Sequence, residues 1–122
     1  MTSTNIVVLA GKLTRDPEVR QTPSGASVCD FSLAINERVK KAGEYVDQTT
    51  YVDVVCWGST ADACGHALRK GSAVLVEGKL QLDQWEKDGQ KRSKIRVRAE
   101  RVTFLDPRRE QAQEPTNGEL PV

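Results

Sequence analysis

Apolar and polar residues alternate along most of this chain, and a period of two is the pattern of a β-strand with one buried face. The first β-rich run covers residues 5–13 and ends before Asp16-Pro17, because proline has no backbone N–H to donate to a strand ladder. The alternation is clearest over residues 27–36, where the large apolar residues fall on one face. These two runs predict strands one and two.

The middle of the chain predicts a third strand and one helix. Residues 37–48 are mostly charged or polar and predict an exposed loop or hairpin tip, whereas the run TTYVDVVCW at residues 49–57 predicts strand three. Residues 61–70 predict a short helix that ends at a glycine, with Ser59 and Asp62 as a capping-box-like start.

Two further strands follow, joined by a tight hairpin. Residues 72–82 predict strand four and residues 93–104 predict strand five. Between them, the dipeptide Asp88-Gly89 favours a two-residue turn, because both positions of that turn need a positive φ. The pattern therefore predicts a projecting hairpin arm centred on this dipeptide.

The last part of the chain changes in composition. Residues 106–122 are rich in Arg, Glu, Gln, Pro and Asn with few apolar side chains, which predicts a disordered C-terminal tail after a single domain at residues 1–105. Three strands, a helix and two strands is the order of the OB-fold, whose outer sheet face and loops bind oligonucleotides. The sequence therefore predicts an all-β, five-stranded OB-fold barrel with one short helix between strands three and four.

Composition adds little evidence for a polyanionic partner. The chain has 122 residues, 38% of them hydrophobic and 29% charged, as in ordinary globular domains. Its net charge is +1, but residues 1–105 hold 16 of the 18 Lys and Arg and 13 of the 17 Asp and Glu. The predicted domain is mildly basic and the tail mildly acidic, so the local arrangement of charge matters more than its sum.

The residues that carry metal and covalent chemistry are sparse. Three cysteines, Cys29, Cys56 and Cys64, and the single His66 match neither a disulfide framework nor a zinc site, so we expect no metal and no cofactor. Cys64 and His66 are two apart on the predicted helix and point away from each other, which argues against an enzyme. Without a signal peptide or an apolar span, the chain is expected in the cytoplasm, away from membranes.

Aromatic and basic residues suggest a surface for single-stranded nucleic acid. The period of two places Tyr51, Asp53 and Trp57 on the outer face of strand three and turns Val54 and Cys56 toward the core. An exposed aromatic ring stacks any unpaired base for about 1 to 3 kcal/mol. On strand five, Lys94, Arg96 and Arg98 form a basic row. The candidate contact residues are Tyr51, Trp57, Trp85, Lys79, Lys87, Lys91, Arg92, Lys94, Arg96 and Arg98.

The same residues also have structural interpretations. Trp57 on a strand fits core packing, Trp85 near a hairpin tip fits a contact with another subunit, and the basic row fits a solvated strand face. The combination of exposed rings with basic residues on one surface favours nucleic acid.

Several stretches together resemble the bacterial single-stranded DNA-binding protein family over nearly all of residues 1–105. The stretches are NIVVLAGKL at 5–13, DPEVR at 16–20, LA at 33–34, YVDVVCWG at 51–58, LRKGS at 68–72 and VEGKL at 76–80. The resemblance implies an OB-fold subunit of a homotetramer, or a dimer of such units, that coats single-stranded DNA in replication, recombination and repair. It also implies base stacking on Tyr51, Trp57 and Trp85, and subunit pairing through the strand-one region.

Three departures from the family pattern bear on function. Residues 37–40 offer charge where the family often has another Trp, and Asp53 puts a negative charge beside Tyr51 and Trp57. Both predict weaker or more salt-sensitive binding. The tail lacks the family's acidic tip and terminal aromatic, which argues against recruiting replication and repair proteins that way and fits a paralogue for DNA uptake or a mobile element, or a truncated chain.

Three rival functions stay open on sequence alone. An OB-fold protein of the primosomal kind would use the barrel mainly for protein contacts. An OB-fold nuclease would need clustered carboxylates, whereas Asp53, Asp83 and Asp88 are scattered along the chain. RNA is a third possibility, because stacking and phosphate contacts do not sense the 2′-hydroxyl.

Overall fold

The elements of the fold follow the predicted order with one addition. The computed structural model describes residues 2–105, so the predicted tail at residues 106–122 lies outside the described residues. The elements are β1 (Val7–Leu13), β2 (Glu18–Gln21), β3 (Ser27–Lys41), β4 (Glu44–Trp57), α1 (Gly58–Ala67), β5 (Ala73–Lys87) and β6 (Gln90–Phe104). The short β2 was not predicted, because its four residues are all exposed and carry no apolar alternation.

Five of the strands close into a barrel. The hydrogen-bonded order is β1, β5, β6, β4 and β3, and β1 returns to pair with β3 at Leu13 and Leu33. The β4–β6 contact is parallel and short, whereas the other pairs are antiparallel. β2 adds to the edge of β3. The predicted five-stranded OB-fold barrel, with its helix before the fourth barrel strand, is confirmed.

The core lies inside the barrel and beneath α1. Val54 and Cys56 are buried and Val52 packs against them, as the alternation along predicted strand three requires. Burial of each such apolar side chain stabilises the fold by about 1.5 to 3 kcal/mol. The buried cluster consists of Leu13, Cys29, Phe31, Leu33, Val54, Cys56, Ala61, Cys64, Leu68, Val74, Val76, Val97 and Ala99.

Two antiparallel hairpins extend beyond the barrel as arms. We call residues 37–48 the β3–β4 arm and residues 84–93 the β5–β6 arm. The first was predicted as an exposed loop or hairpin tip, and it is a hairpin in which β3 and β4 stay paired up to a two-residue turn at Ala42 (φ 51°) and Gly43 (φ 82°). Alanine seldom adopts a positive φ, so the sequence pattern missed this turn. The second turn, at Asp88-Gly89, is as predicted.

The helix begins and ends three residues before its predicted bounds. Gly58, with φ 65°, turns the chain directly from β4 into α1, and Trp57 is the N-cap residue without a side-chain cap hydrogen bond. The predicted capping box at Ser59 and Asp62 is therefore wrong. The helix ends because Leu68 becomes extended and is buried in the core. Across residues 2–105, helices fall short of the length and apolar character that crossing a membrane needs.

Candidate nucleic-acid interface

The strand register defines one outward surface on the side of β4. Val55 is the register partner of Asp30 on β3 and of Arg98 on β6, so these residues and every second residue from them share one side of the sheet. Tyr51 and Trp57 lie on this side of β4. We call this surface the outer face.

Trp57 combines an aromatic ring with a neighbouring cation. The residue is 38% exposed, and the guanidinium carbon of Arg98 lies 5.5 Å from the centroid of its ring. A cation at that distance from an indole face is attracted by the ring quadrupole. Gly78 helps to place Arg98, because a Cβ there would lie 2.0 Å from the Arg98 carbonyl oxygen and would push β5 away from β6.

Tyr51 is the most exposed of the three predicted aromatic residues. It is 69% exposed and lies at the wall of an open groove of about 390 Å³ between β4 and the base of the β5–β6 arm. Leu80 and Ile95 also line this groove. The groove therefore offers an aromatic ring together with apolar side chains.

Trp85 continues the outer face along the β5–β6 arm. It is 45% exposed and is the register partner of Arg92. Together with Lys91 and Arg92 it lines an open groove of about 530 Å³. The structure thus places the third predicted aromatic on the projecting arm, as expected, with two predicted basic residues beside it.

The predicted basic residues divide into paired and unpaired groups. Within residues 2–105, Lys87 and Lys91 make no ion pair, whereas the Lys79 ammonium lies 3.4 Å from Glu100. Lys94 forms an ion pair with Asp53. The predicted basic row on β6 is therefore not uniformly free.

Arg96 is the most heavily paired cation of this surface. Its Nη1 lies 3.1 Å from Asp30, its Nε donates to Asp83, and Asp30 also accepts from Arg20. The Gln81 amide donates to the second oxygen of Asp83 at 2.8 Å. We call the six charged residues Arg20, Asp30, Asp53, Asp83, Lys94 and Arg96 the central ion network.

Two of the three carboxylates of the network, Asp53 and Asp83, have a pKa below the ordinary value. The hydrogen bond from Lys94 lowers the pKa of Asp53 below its ordinary value. The Gln81 amide, followed by Arg96, lowers the pKa of Asp83. Three carboxylates therefore face three cations, and the centre of the outer face is close to neutral.

Sequence reasoning missed this network for a topological reason. Arg96 on β6 reaches Asp30 on β3, and these two strands are separated by β4 in the sheet. The parallel pairing of β6 with β4, which joins segments distant in the chain, brings the two residues together. The proximity of Asp83 and Lys94 could have been predicted, because they are partners in the predicted hairpin.

Tyr45 is an exposed aromatic residue that sequence reasoning also missed. It is 64% exposed, and the charged groups of Arg38 and Lys40 each lie 5.9 Å from its ring centroid. Tyr45 is six residues before Tyr51 on β4 and so lies on the same side of the strand. Extending the period of two back from Tyr51 would have found it, had residues 37–48 been predicted as strand.

The thiols and the histidine lie away from the outer face. Cys29, Cys56 and Cys64 are buried, and the Cys56 thiol donates to the Cys29 carbonyl at 3.7 Å. Contact with the Cys29 thiol raises the pKa of Cys56, and Cys64 and burial act in the same direction. His66 is exposed on α1. Among the described residues, no cluster of His, Cys, Asp and Glu has an arrangement that could hold a metal ion.

Comparison with known proteins gives consistent matches. The profile of the Single-strand binding protein family matches residues 4–105. A single-stranded DNA-binding protein of Treponema pallidum (strain Nichols) is 42% identical over 105 residues, which are 86% of this chain and 60% of that protein. The chain thus spans less than two thirds of that relative's length.

Solved structures match the fold as well. The wild-type single-stranded DNA-binding protein from Thermus aquaticus has a TM-score of 0.75 at 39% identity, covering 86% of this chain and 52% of that one. The Plasmodium falciparum SSB in complex with single-stranded DNA has a TM-score of 0.78 at 26% identity, covering 87% and 98%.

Proposed function

Because the chain belongs to the single-strand binding protein family, we propose that it binds and coats single-stranded DNA without sequence specificity, in replication, recombination and repair. The observation that carries this proposal is the pairing of Trp57 with Arg98 on an open sheet face. A base can stack on such a ring while the adjacent guanidinium holds its phosphate. The similar Plasmodium falciparum protein, solved with single-stranded DNA, supports the proposal.

The proposed binding surface runs from the barrel onto the β5–β6 arm. Trp57, Tyr51 and Trp85 supply three rings, and each is exposed by more than a third of its surface. Because every base has a π-face, stacking on these rings is worth about 1 to 3 kcal/mol per base whatever the sequence. This accounts for binding without a base code.

Cations along the same surface supply the phosphate contacts. We propose Arg98 beside Trp57, and Lys87, Lys91 and Arg92 around Trp85, as the principal contacts, with Lys79 at the barrel end of β5. Each such contact releases a counterion, so binding weakens with salt by a slope of about 0.7 per contact on single strands. Lys94 and Arg96 complete the predicted set, but both are already paired with carboxylates.

We further propose that the β3–β4 arm extends the surface through Tyr45. This ring has cations on Arg38 and Lys40 near it, so it repeats the combination found at Trp57. A strand that occupies Tyr51 can continue along β4 toward Tyr45. Tyr45 on β4 would then supply the stacking position for which residues 37–40 on β3 offer no aromatic side chain.

Self-assembly, as a tetramer, is the second part of the proposal. Ile6 and Val8 are exposed at or beside β1, and Leu80, Leu82 and Ile95 are exposed at the base of the β5–β6 arm. Apolar side chains grouped on a surface favour contacts with another chain over contact with water. Sedimentation equilibrium would test the state, and a monomer at all concentrations would contradict it.

We propose that the protein is not an enzyme and acts in the cytoplasm at the nucleoid. Asp30, Asp53 and Asp83 are committed to ion pairs, and the three thiols are committed to the core. Free thiols are typical of a reducing compartment, which is also where the proposed ligand is found. The tail proposed to bear on partner recruitment lies outside the described residues.

Binding of fluorescently labelled oligo-dT, followed by anisotropy at low and high salt, tests the proposed function. A duplex and an oligo-rU of equal length serve as competitors. We expect tight binding to the DNA strand, weak competition by duplex, and an affinity that falls as salt rises. Absence of binding would favour protein contacts as the role of this face, and preferential displacement by oligo-rU would identify RNA as the ligand.

A further inference from the structure

The central ion network occupies the middle of the surface on which DNA is proposed to lie. Arg96 spans the face from Asp83 on β5 to Asp30 on β3, and its side chain is only 22% exposed. Val55, which points to the outer face from the strand between them, is nonetheless fully buried. The Arg96 side chain therefore lies along the sheet over Val55, whereas the side chain of Lys94 is about half exposed.

The network changes what the cations can do for a DNA backbone. Lys94 is already in contact with Asp53, and the Asp53 carboxylate repels the negative charge of an approaching phosphate. The same holds for Arg96 between Asp30 and Asp83. By contrast, Lys91 on the β5–β6 arm makes no ion pair among the described residues, and the carboxylate of its register partner Glu86 lies beyond ion-pair distance.

We propose that Asp53 and Asp83 keep Lys94 and Arg96 in ion pairs within the protein and so prevent these two cations from contacting DNA phosphates. The backbone is thereby directed to the cations of the arms and to Arg98, and the bases face the centre of the sheet near Tyr51 and Trp57. This inference rests on the proposed function. It replaces the sequence expectation of greater salt sensitivity with its opposite, because cations that stay paired within the protein release no counterions from DNA.

Asp53 and Asp83 differ in whether the cation that each one pairs has a second carboxylate partner. Among the described residues Lys94 makes its one ion pair with Asp53, so neutralising Asp53 leaves it only the longer-range attraction of Asp83, its register partner on β5. Arg96 keeps Asp30 when Asp83 is neutralised. Asp53→Asn is therefore expected to have the larger effect on DNA binding, and Asp83→Asn a smaller effect in the same direction.

The test measures the affinity of the full chain for oligo-dT as a function of salt. Asp53→Asn is expected to tighten binding at low salt and to steepen the slope of log K against log salt by about 0.7, the contribution of one freed cation on a single strand. Lys94→Ala in the Asp53→Asn background is expected to remove that increase. Lys91→Ala in the native chain is expected to reduce the slope by about the same amount.

Asp62→Asn is the matched control. It changes the net charge equally, but Asp62 lies on α1 near Val19 and His66, away from the outer face. A similar gain in Asp62→Asn would attribute the effect to net charge and overturn the inference. Urea denaturation of each variant checks that it is folded, and Asp83→Asn provides a second variant if Asp53→Asn is not.

The outcomes separate the inference from the proposed function. If the native chain does not bind oligo-dT, the proposed function itself fails. If the native chain binds but the folded Asp53→Asn or Asp83→Asn variant shows an unchanged or weaker affinity and an unchanged slope, the function stands and the inference is overturned.

Discussion

The barrel and the two arms are built from the same strands but use their side chains in opposite ways. Within the barrel, β3 and β4 bury Leu33 and Val54 beneath α1 and the strands across the core. Beyond it, the same strands have no second layer, and Tyr45 and Val46 are exposed. An apolar or aromatic residue therefore stabilises the fold where a layer covers it and is free for a ligand or partner where none does.

The two regions also differ in how their charges are arranged. At the centre of the outer face, Lys94 and Arg96 are neutralised by carboxylates from neighbouring strands. On the β5–β6 arm, Lys87 and Lys91 make no ion pair within the described residues. The unpaired cations of the β5–β6 arm thus suit a polyanion better than Lys94 and Arg96 at the centre, which are already paired.

The largest difference is expected in stability, from one substitution made twice on β4. Val54→Ala in the core should lower the free energy of unfolding by roughly 1.5 to 3 kcal/mol, because it removes fully buried methyl groups. Val46→Ala on the arm should change it by no more than about 0.5 kcal/mol. Urea denaturation measures both, and equal costs would show that the arm is packed like the barrel.

The next effect concerns DNA affinity at the two tryptophans. Trp57→Ala and Trp85→Ala should each weaken oligo-dT binding by about 1 to 3 kcal/mol if both rings stack on bases. Only Trp57→Ala should also lower stability, because Trp57 lies on the barrel beside Arg98 and buried Val28. Fluorescence anisotropy and urea denaturation separate the two effects.

Conservative variants serve as controls for this pair. Trp57→Phe and Trp85→Phe keep an aromatic face and should retain most of the affinity. Loss of stability without loss of binding in Trp85→Ala would identify Trp85 as a packing residue.

A smaller effect is expected at the β3–β4 arm. Tyr45→Ala should weaken binding by about 1 kcal/mol, the low end of the range for a stacked base, and only with oligonucleotides long enough to pass Tyr51. Tyr45→Phe and Val46→Ala should bind as the native chain does. Equal affinity of Tyr45→Ala and the native chain at every length would remove this arm from the DNA path.

The smallest effect is the pH dependence of stability from the central ion network. The folded-state pKa of Asp53 and of Asp83 lies below the ordinary value of 3.8, so the unfolded chain binds protons first as the pH falls. Their ion pairs contribute stability at neutral pH, and this contribution is lost through and below that value. Asp53→Asn should therefore show a shallower loss of stability between neutral and acidic pH in urea denaturation, and an unchanged profile would count against the pairing.

The parts of the fold that depend on local pattern were predictable. Alternation placed Val54 and Cys56 in the core, and Asp88-Gly89 marked the β5–β6 turn because both positions tolerate a positive φ. The positive φ of the β3–β4 turn was missed because alanine, present at position 42, seldom adopts it. The helix cap was missed because Gly58 turns the chain before Ser59 can act.

The exposed aromatic residues of the candidate site could also be predicted from local pattern. Tyr51 and Trp57 follow from strand periodicity and Trp85 from its place before the Asp88-Gly89 turn, and the structure places all three in exposed positions. The pairing of Arg96 with Asp30 did not follow, because it depends on the long-range parallel pairing of β6 with β4. Local pattern thus predicts which side chains face outward, but it does not predict which charges remain free.

The most direct test of the central claim, that exposed aromatics of the barrel and the arm stack on unpaired bases, is tryptophan fluorescence in two single-tryptophan variants. Trp85→Phe reports on Trp57, and Trp57→Phe reports on Trp85, during titration with oligo-dT of increasing length and with a duplex control. We predict quenching of both residues by single strands only, with Trp85 requiring the longer oligonucleotides and with affinity falling as salt rises. Unchanged emission from both residues would contradict the claim and would assign the aromatic surface to protein contacts.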